Sequence, residues 1–140
     1  MNIVIDWRSI DSEDPTSFGT TNAYPDENSF TITSPGGITR TLLAISTYTT
    51  GSADRVTTKF IDTATELPSG LPVSGTFLPA QLLSIYNDTS PIGTWTLTMA
   101  DSTANNGVIL HGFTLNVADT TCGDAVVGPS DQCDDGNQSD

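Results

Sequence analysis

A strict alternation of large apolar residues with threonine is the feature that most limits what this chain can fold into. In residues 95–99 a tryptophan, a leucine and a methionine are separated by single threonines, so the large side chains fall on one face of an extended strand. The same two-residue period occurs in residues 3–7 and 29–33. No stretch carries a convincing long apolar period of 3.6 residues. The pattern therefore predicts an all-β protein.

Turn residues divide the rest of the body into short segments. The Ser-Pro-Gly-Gly run at 34–37 ends one strand, and β character resumes over 38–48 and again over 55–61. Residues 62–79, interrupted by proline and glycine, predict a long loop with one short strand, and residues 80–86 fit either a helical turn or a strand. Many short strands joined by such turns favour a jelly-roll β-sandwich.

The clearest unit spans residues 93–117. Its first half is the strand that alternates with threonine, and its second half supplies another apolar set: Ile109, Phe113, Leu115 and Val117. Asn106 and Gly107 lie between the halves and form a dipeptide typical of tight hairpins. The unit therefore predicts two antiparallel strands joined by a hairpin. Trp95 and Trp7 are both in phase with apolar neighbours on their strands, which favours core packing over an exposed ligand platform.

The charge excludes two classes of partner. The chain has 140 residues, with 4 Lys+Arg against 17 Asp+Glu and a formal net charge of -13. Nucleic acids and anionic membranes both attract clustered cations, so neither is expected as a partner. No apolar run reaches the roughly 18 residues that a membrane span requires. Residues 119–140 carry six acids and no base. The chain thus divides into a β-sandwich domain over 1–118 and an irregular acidic tail over 119–140.

A catalytic constellation is hard to assemble from this sequence. His111 is the only histidine, and no nucleophile motif of the Gly-x-Ser-x-Gly type accompanies it. The histidine is therefore expected to be an exposed strand residue. One histidine and two cysteines, Cys122 and Cys133, do not form a zinc ligand set at familiar spacing. We predict that this chain is not itself an enzyme.

Carboxylates are the only plentiful functional groups, and they suit Ca²⁺, which takes six to eight oxygen ligands from irregular loops. Two acidic clusters are the candidate metal sites. The first runs over residues 11–14 and 26–28, with Asp11, Asp14 and Asp26 as candidate ligands and Glu13, Glu27 and Asn28 beside them. The second runs over residues 134–137 and includes Asp140, with Asp134 and Asp135 as candidate ligands in the tail. Neither matches the twelve-residue helix-loop-helix calcium motif. A solvated acidic loop is the alternative interpretation of both.

Several spaced motifs, in the right order, resemble the P domain (Homo B domain) of kexin-like proprotein convertases and bacterial subtilisin-like proteases. The most specific is the Gly-Thr-Trp strand at 93–101, followed by the segment 107–117, where Phe113 stands in place of the usual tryptophan. Upstream, residues 30–39 resemble the family strand that leads into Ser-Pro-x-Gly-Thr, and residues 60–64 resemble its Phe-x-Asp-x-Ala step. The resemblance covers most of residues 28–117.

The resemblance implies a galactose-binding-like jelly roll with no catalytic role of its own. It implies an accessory domain that packs against the catalytic domain of a secreted serine endopeptidase in the same parent chain and helps it to fold or stay folded, often with Ca²⁺. The alternative is a carbohydrate-binding or adhesive module of a large bacterial surface protein, with a glycan as partner. The two readings share the same fold, so fold alone does not separate them.

The tail carries a second resemblance. Residues 122–137 are similar to the opening of cysteine-rich repeats of myxobacterial and related surface proteins, with Ala125 in place of a glycine and Asp131 in place of a glutamate. The later cysteines of the repeat do not occur before Asp140, so the tail is expected to be a truncated repeat. The resemblance implies an extracellular or cell-surface location. It leaves open whether Cys122 and Cys133 bond to each other.

Overall fold

The computed structural model describes residues 1–10, 23–51, 54–104 and 106–117. Seven strands and two short 3-10 helices make up these ranges: β1 (Asn2–Ile10), the first 3-10 helix (Pro25–Glu27), β2 (Asn28–Thr33), β3 (Thr39–Leu43), β4 (Val56–Phe60), β5 (Gly75–Phe77), the second 3-10 helix (Leu83–Tyr86), β6 (Thr96–Asp101) and β7 (Gly107–Asn116). The predicted all-β class is confirmed. None of the helices within these ranges has the length and apolar character needed to cross a membrane.

The strands form two sheets that enclose one core. The larger sheet has the order β5-β4-β1-β7 and the smaller has the order β3-β2-β6. All pairings are antiparallel except that of β4 with β5, which are joined by a long loop. This loop and its single short strand are as the proline and glycine spacing predicts, and the ambiguous segment 80–86 contains the second 3-10 helix.

The core lies where the two-residue periods of β1 and β2 meet. Ile3, Ile5 and Trp7 point inward from β1 and are fully buried, as predicted. The Trp7 ring packs edge-on against Phe30 of β2, with 4.9 Å between ring centroids. Its indole N–H donates to Thr58 Oγ1 at 3.0 Å, which satisfies the one polar atom that the burial of this side chain would otherwise leave unpaired.

Trp95, the other tryptophan, is only partly buried at the edge of the same core. Its ring packs edge-on against Tyr86 with 5.0 Å between centroids, and its indole N–H donates to the Pro91 carbonyl at 3.0 Å. Core packing of Trp95 is thus confirmed, but as a half-covered side chain.

The predicted hairpin between β6 and β7 is wrong. β6 pairs with β2 in the smaller sheet, whereas β7 pairs with β1 in the larger one, so the connection crosses from one sheet to the other. Gly107 does not adopt the positive φ that a tight hairpin turn would require; it is simply the first residue of β7. Glu27 holds the connection instead, because its carbonyl accepts from the Ser102 amide and its carboxylate accepts from Asn106.

The predicted buried face of the last strand is only partly confirmed. β7 carries a bulge, because Asp6 pairs with Gly112 and Trp7 with Leu110, which leaves His111 without a partner across the ladder. The alternation of inward-facing and outward-facing residues along β7 therefore shifts by one residue at the bulge. Leu115 packs against the core, but Phe113 is 41% exposed. His111 is exposed on its strand, as predicted.

The third strand is shorter than the sequence indicates. β character was expected over residues 38–48, but β3 ends at Leu43 and Ile45 is 53% exposed. A turn follows, in which the Thr47 hydroxyl donates to the Ala44 carbonyl and Ser46 takes a φ of 64°. The turn lets the Ser46 amide donate to the Asp26 carbonyl, which ties this loop to the first 3-10 helix.

Candidate functional site

Of the five residues predicted to bind a metal, Asp26 is the one that lies within the described ranges. The other four, Asp11, Asp14, Asp134 and Asp135, lie outside the described residues. Asp26 sits in the first 3-10 helix, immediately before β2. Its Oδ2 atom accepts a long hydrogen bond of 3.4 Å from the Thr50 hydroxyl, and its Oδ1 atom is buried without a partner.

Asp26 belongs to a group of carboxylate and amide side chains at one end of the sandwich, which we call the acidic end. Its members are Asp26, Glu27, Asn28, Asp101 and Asn106. They come together because the first 3-10 helix leads into the start of β2, β6 ends beside that start, and β7 begins close by. Asn28 and Asp101 are direct cross-strand partners in the β2–β6 ladder.

Asn28 is the innermost member of the acidic end. It is in phase with the buried residues Phe30 and Ile32, and its side chain is 0% exposed. The amide Nδ2 atom donates to Ser9 Oγ at 3.2 Å, while Oδ1 has no hydrogen-bond partner in the part of the chain that the structure describes. A fully buried acceptor without a donor is uncommon in folded proteins, because burial removes the water that would otherwise satisfy it.

Three further side-chain oxygens of the acidic end are also buried and lack a hydrogen-bond partner among the described residues. They are Asp26 Oδ1, Asp101 Oδ2 and Asn106 Oδ1. Two of their side chains are nevertheless held firmly by their other polar atom. Asp101 Oδ1 accepts from the Thr103 amide at 2.9 Å, and Asn106 Nδ2 donates to Glu27 Oε2 at 2.6 Å.

The surroundings at the acidic end disfavour negative charge on the Asp101 carboxylate. Burial raises the pKa of Asp101, and the neighbouring carboxylates of Glu27 and Asp26 raise it further. The hydrogen bond from the Thr103 amide opposes the rise, and no basic side chain is among the groups that affect this carboxyl. Within the described ranges, no three Asp, Glu, His or Cys side chains are placed to hold a metal by themselves.

Sequence reasoning ranked these residues imperfectly. Asp26 stood among the predicted ligands with Glu27 and Asn28 beside it, whereas Asp101 was not among them and Asn106 was assigned to a hairpin turn. A usable signal was present in the sequence. Asn28 and Asp101 both occupy the buried phase of their strands, where the alternation demands an apolar side chain.

The second feature of functional interest is apolar. Leu110, Phe113 and Val117 are all between 41% and 44% exposed, and we call them the β7 apolar strip. Leu110 and Phe113 lie directly across from the buried residues Trp7 and Ile5, so they share the inner face of the sheet. β7 is the outermost strand of a four-stranded sheet that faces only three strands, and the described residues therefore leave its inner face half covered.

Two carboxylates outside the acidic end, those of Asp62 and Asp6, have structural partners. Both Asp62 carboxylate oxygens accept backbone amides of the second 3-10 helix, from Leu83 at 2.8 Å and Ser84 at 2.7 Å. Asp6 forms an ion pair with Arg55 on the exposed face of the larger sheet, and its hydrogen bonds to that guanidinium lower the pKa of the Asp6 carboxyl. His111 lies close enough to Asp6 to act in the same direction.

A shallow hollow of about 340 Å³ opens beside the end of β3. It is lined by Leu42, Ala44, Thr47, Leu67, Pro68 and Ala80. None of the described residues that line it is aromatic.

Comparison of the chain with protein-family models, with curated proteins and with solved structures finds no match in any of the three. The likeness to the P domain and to the cysteine-rich repeat thus remains a prediction from motifs.

Proposed function

We propose that residues 1–118 form a jelly-roll accessory domain that docks onto the catalytic domain of a secreted subtilisin-like serine endopeptidase in the same parent chain. The observation that carries the proposal is the β7 apolar strip. A strip of this kind on the inner face of an edge strand exposes apolar area that a neighbouring domain can cover. Docking only onto the folded enzyme stabilises that enzyme by mass action.

The motif residues on which the resemblance rests support this reading, because their roles in the described structure are architectural. Trp95 closes one edge of the core, and Asp62 holds the second 3-10 helix. Ser34 shapes the turn between β2 and β3, where its hydroxyl accepts from the Ile38 amide at 3.2 Å. Such architectural roles fit a domain that acts by binding a neighbour. The likeness of residues 122–137 to the opening of a cysteine-rich repeat supports a location outside the cell.

The test begins with the reading frame that surrounds this coding segment. We expect an upstream domain with the Asp, His and Ser of a subtilisin-like protease. A frame that contains adhesion or repeat modules and no protease would contradict the proposal and leave the glycan-binding or adhesive alternative.

The second step tests the docking surface in the full parent protein. Phe113→Ser on the β7 apolar strip is expected to lower the melting temperature of the protease by several degrees and to shorten its active half-life. Thr114→Ser is the matched control, because Thr114 is exposed on the opposite face of the same strand. If Phe113→Ser destabilises the isolated 140-residue chain as much as the parent protein, Phe113 belongs to the domain's own core and the docking surface is wrong.

A further inference from the structure

We propose that the acidic end binds one Ca²⁺ ion through side-chain oxygens of Glu27, Asn28, Asp101 and Asn106, with Asp26 beside it. The site is independent of the proposed docking function. Glu27 and Asn28 belong to the first acidic cluster of the sequence, whereas Asp101 and Asn106 join them through the fold, by strand pairing with Asn28 and by a hydrogen bond to Glu27.

The first argument is the concentration of unpaired oxygens. Asp26, Asn28, Asp101 and Asn106 each present one buried side-chain oxygen without a hydrogen-bond donor. Each such atom costs free energy when water is removed from it, so four acceptors at one end of the sandwich, unpaired among the described residues, favour binding of a compensating partner. All four are acceptors, and a cation is the partner that satisfies several acceptors at once.

The second argument is the fully buried Asn28 amide. Its Nδ2 atom is tied to Ser9 on β1, and the side chain lies next to that of Asp101 on the inner face of the smaller sheet. Cross-strand partners have Cβ atoms about 4.5–5.5 Å apart, a spacing that lets two oxygens share one ion. Asn28 therefore contributes an unpaired oxygen from inside the core to the same spot as a carboxylate.

The third argument is that the candidate ligands are already oriented. Asp101 is fixed by the Thr103 amide, Asn106 by Glu27, and Asn28 by Ser9. In each side chain one polar atom is bound to protein and the other oxygen is free. Metal ligands in proteins are commonly held in this way by a second hydrogen bond, which lowers the entropy lost when the ion binds.

The ligand types identify the ion. Two carboxylates and two amide carbonyls form a hard oxygen set without nitrogen or sulfur, which excludes zinc-type coordination. Ca²⁺ accepts such mixed sets in irregular geometry and completes its coordination with backbone carbonyls and water, whereas Mg²⁺ demands a nearly ideal octahedron. The mixed set also explains why no three carboxylates within the described ranges are placed to hold an ion alone.

The test measures Ca²⁺ binding by calorimetry and thermal unfolding of the 140-residue chain in Ca²⁺, in Mg²⁺ and in EDTA. We expect one Ca²⁺ per chain at the acidic end, a higher melting temperature in Ca²⁺ than in EDTA, and a smaller rise in Mg²⁺. Asp101→Asn is expected to weaken Ca²⁺ binding at least tenfold and to abolish the melting-temperature shift. Glu27→Gln, a second isosteric change nearer the surface, is expected to weaken binding in the same direction.

Two control variants keep the result specific. Asp62→Asn alters a carboxylate that holds the second 3-10 helix, so it should lower the melting temperature equally in Ca²⁺ and EDTA and leave Ca²⁺ affinity unchanged. The double change Asp134→Asn and Asp135→Asn removes the tail cluster and should leave the thermal shift intact. The proposal is overturned if Ca²⁺ gives no shift, or if the shift survives Asp101→Asn and disappears in the tail variant.

Discussion

Two tyrosine hydroxyls of the sandwich have opposite surroundings. The Tyr86 hydroxyl donates toward the carbonyls of Ile32 at 2.9 Å and Ile38 at 3.2 Å, and so ties the second 3-10 helix to the turn between β2 and β3. The Tyr48 hydroxyl is buried and lacks a well-formed hydrogen bond within the described ranges, where it interacts only weakly with the Thr58 side chain. The same chemical group therefore stabilises the fold at one position and opposes it at the other.

Replacing each tyrosine by phenylalanine separates these effects. Tyr86→Phe is expected to reduce the free energy of unfolding by about 1–2 kcal/mol, because the Ile32 and Ile38 carbonyls lose the hydroxyl donor, although Ile38 still accepts from the Ser34 amide. Tyr48→Phe should change it by less than about 0.5 kcal/mol or increase it, because only a weak interaction with Thr58 is lost and a buried polar group is removed. Urea unfolding of both variants at neutral pH measures the difference. A Tyr48→Phe protein as unstable as Tyr86→Phe would show that the Tyr48 hydroxyl has a partner.

Tyr48 also predicts how stability depends on alkaline pH. Burial raises the pKa of Tyr48 to about 12 from its ordinary 10.0, and proximity to Thr58 offsets only part of that rise. The folded state therefore keeps a proton that the unfolded state releases. The stability linked to this proton is fully present below pH 10.0 and is lost as pH rises toward about 12. Melting temperatures across this range should fall less steeply for Tyr48→Phe than for the parent protein, and parallel curves would contradict the assignment.

For single residues, the sequence predicted burial well where apolar and polar residues alternate regularly along a strand. It predicted burial poorly where a polar residue occupies an inward-facing position. Trp7 and its neighbours in β1 lie in the core as expected. Asn28 and Asp101 were not expected to share a buried position, because strand pairing between distant segments cannot be read from one sequence. Periodicity gives the face of a residue and leaves its neighbour across the ladder undetermined.

The connection between β6 and β7 shows a similar limit at the level of elements. Alternation requires each strand to bury one face, and a hairpin within one sheet and a crossing between two sheets meet that requirement equally well. The Asn-Gly pair favoured the hairpin on local grounds. The hydrogen bonds of Glu27 with Ser102 and Asn106 favour the crossing, and they depend on a residue more than seventy positions away.

The structure around the connection between β6 and β7, and around the start of β6, predicts which of two glycines tolerates a side chain. A Cβ atom at Gly107 would lie 3.7 Å from Ile10, an ordinary contact, and the backbone there is not left-handed, so Gly107→Ala should change stability by less than about 0.5 kcal/mol. Gly93, by contrast, has a φ of +131° and its Cβ would lie 2.8 Å from Pro35, so Gly93→Ala should cost more than about 1 kcal/mol. Thermal unfolding of the two variants tests this. A strongly destabilised Gly107→Ala protein would favour the tight hairpin instead.

For the whole molecule, composition and periodicity were sufficient to predict the all-β class and two layers of structure. They did not give the order of strands, because that order depends on which edges meet. The bulge at His111 likewise changes the phase of β7 between Ile109 and Phe113, a shift that no two-residue period in the sequence reveals.

The division at residue 118 gives a prediction about the complete chain. Within the described ranges, the core cluster and the side chains packed against it extend no further than Leu115. We therefore expect a protein of residues 1–118 to unfold at the same temperature, within about 2 °C, as the 140-residue chain under reducing conditions. Differential scanning calorimetry of both proteins measures this. A clearly lower temperature for the shorter protein would assign the tail to the folded unit.

The position of β1 between β4 and β7 also has a consequence for the way in which the fold is reached. Asn2 pairs with Asn116, so β1 finds this partner only after β7, the last of the described strands in chain order, has left the ribosome. Contacts of such long sequence separation slow folding, and an unpaired strand edge is prone to pair wrongly while it waits. Although β1 precedes the other described strands in the chain, it is thus among the last to be fully paired, and productive folding depends on keeping that edge protected until β7 has been made.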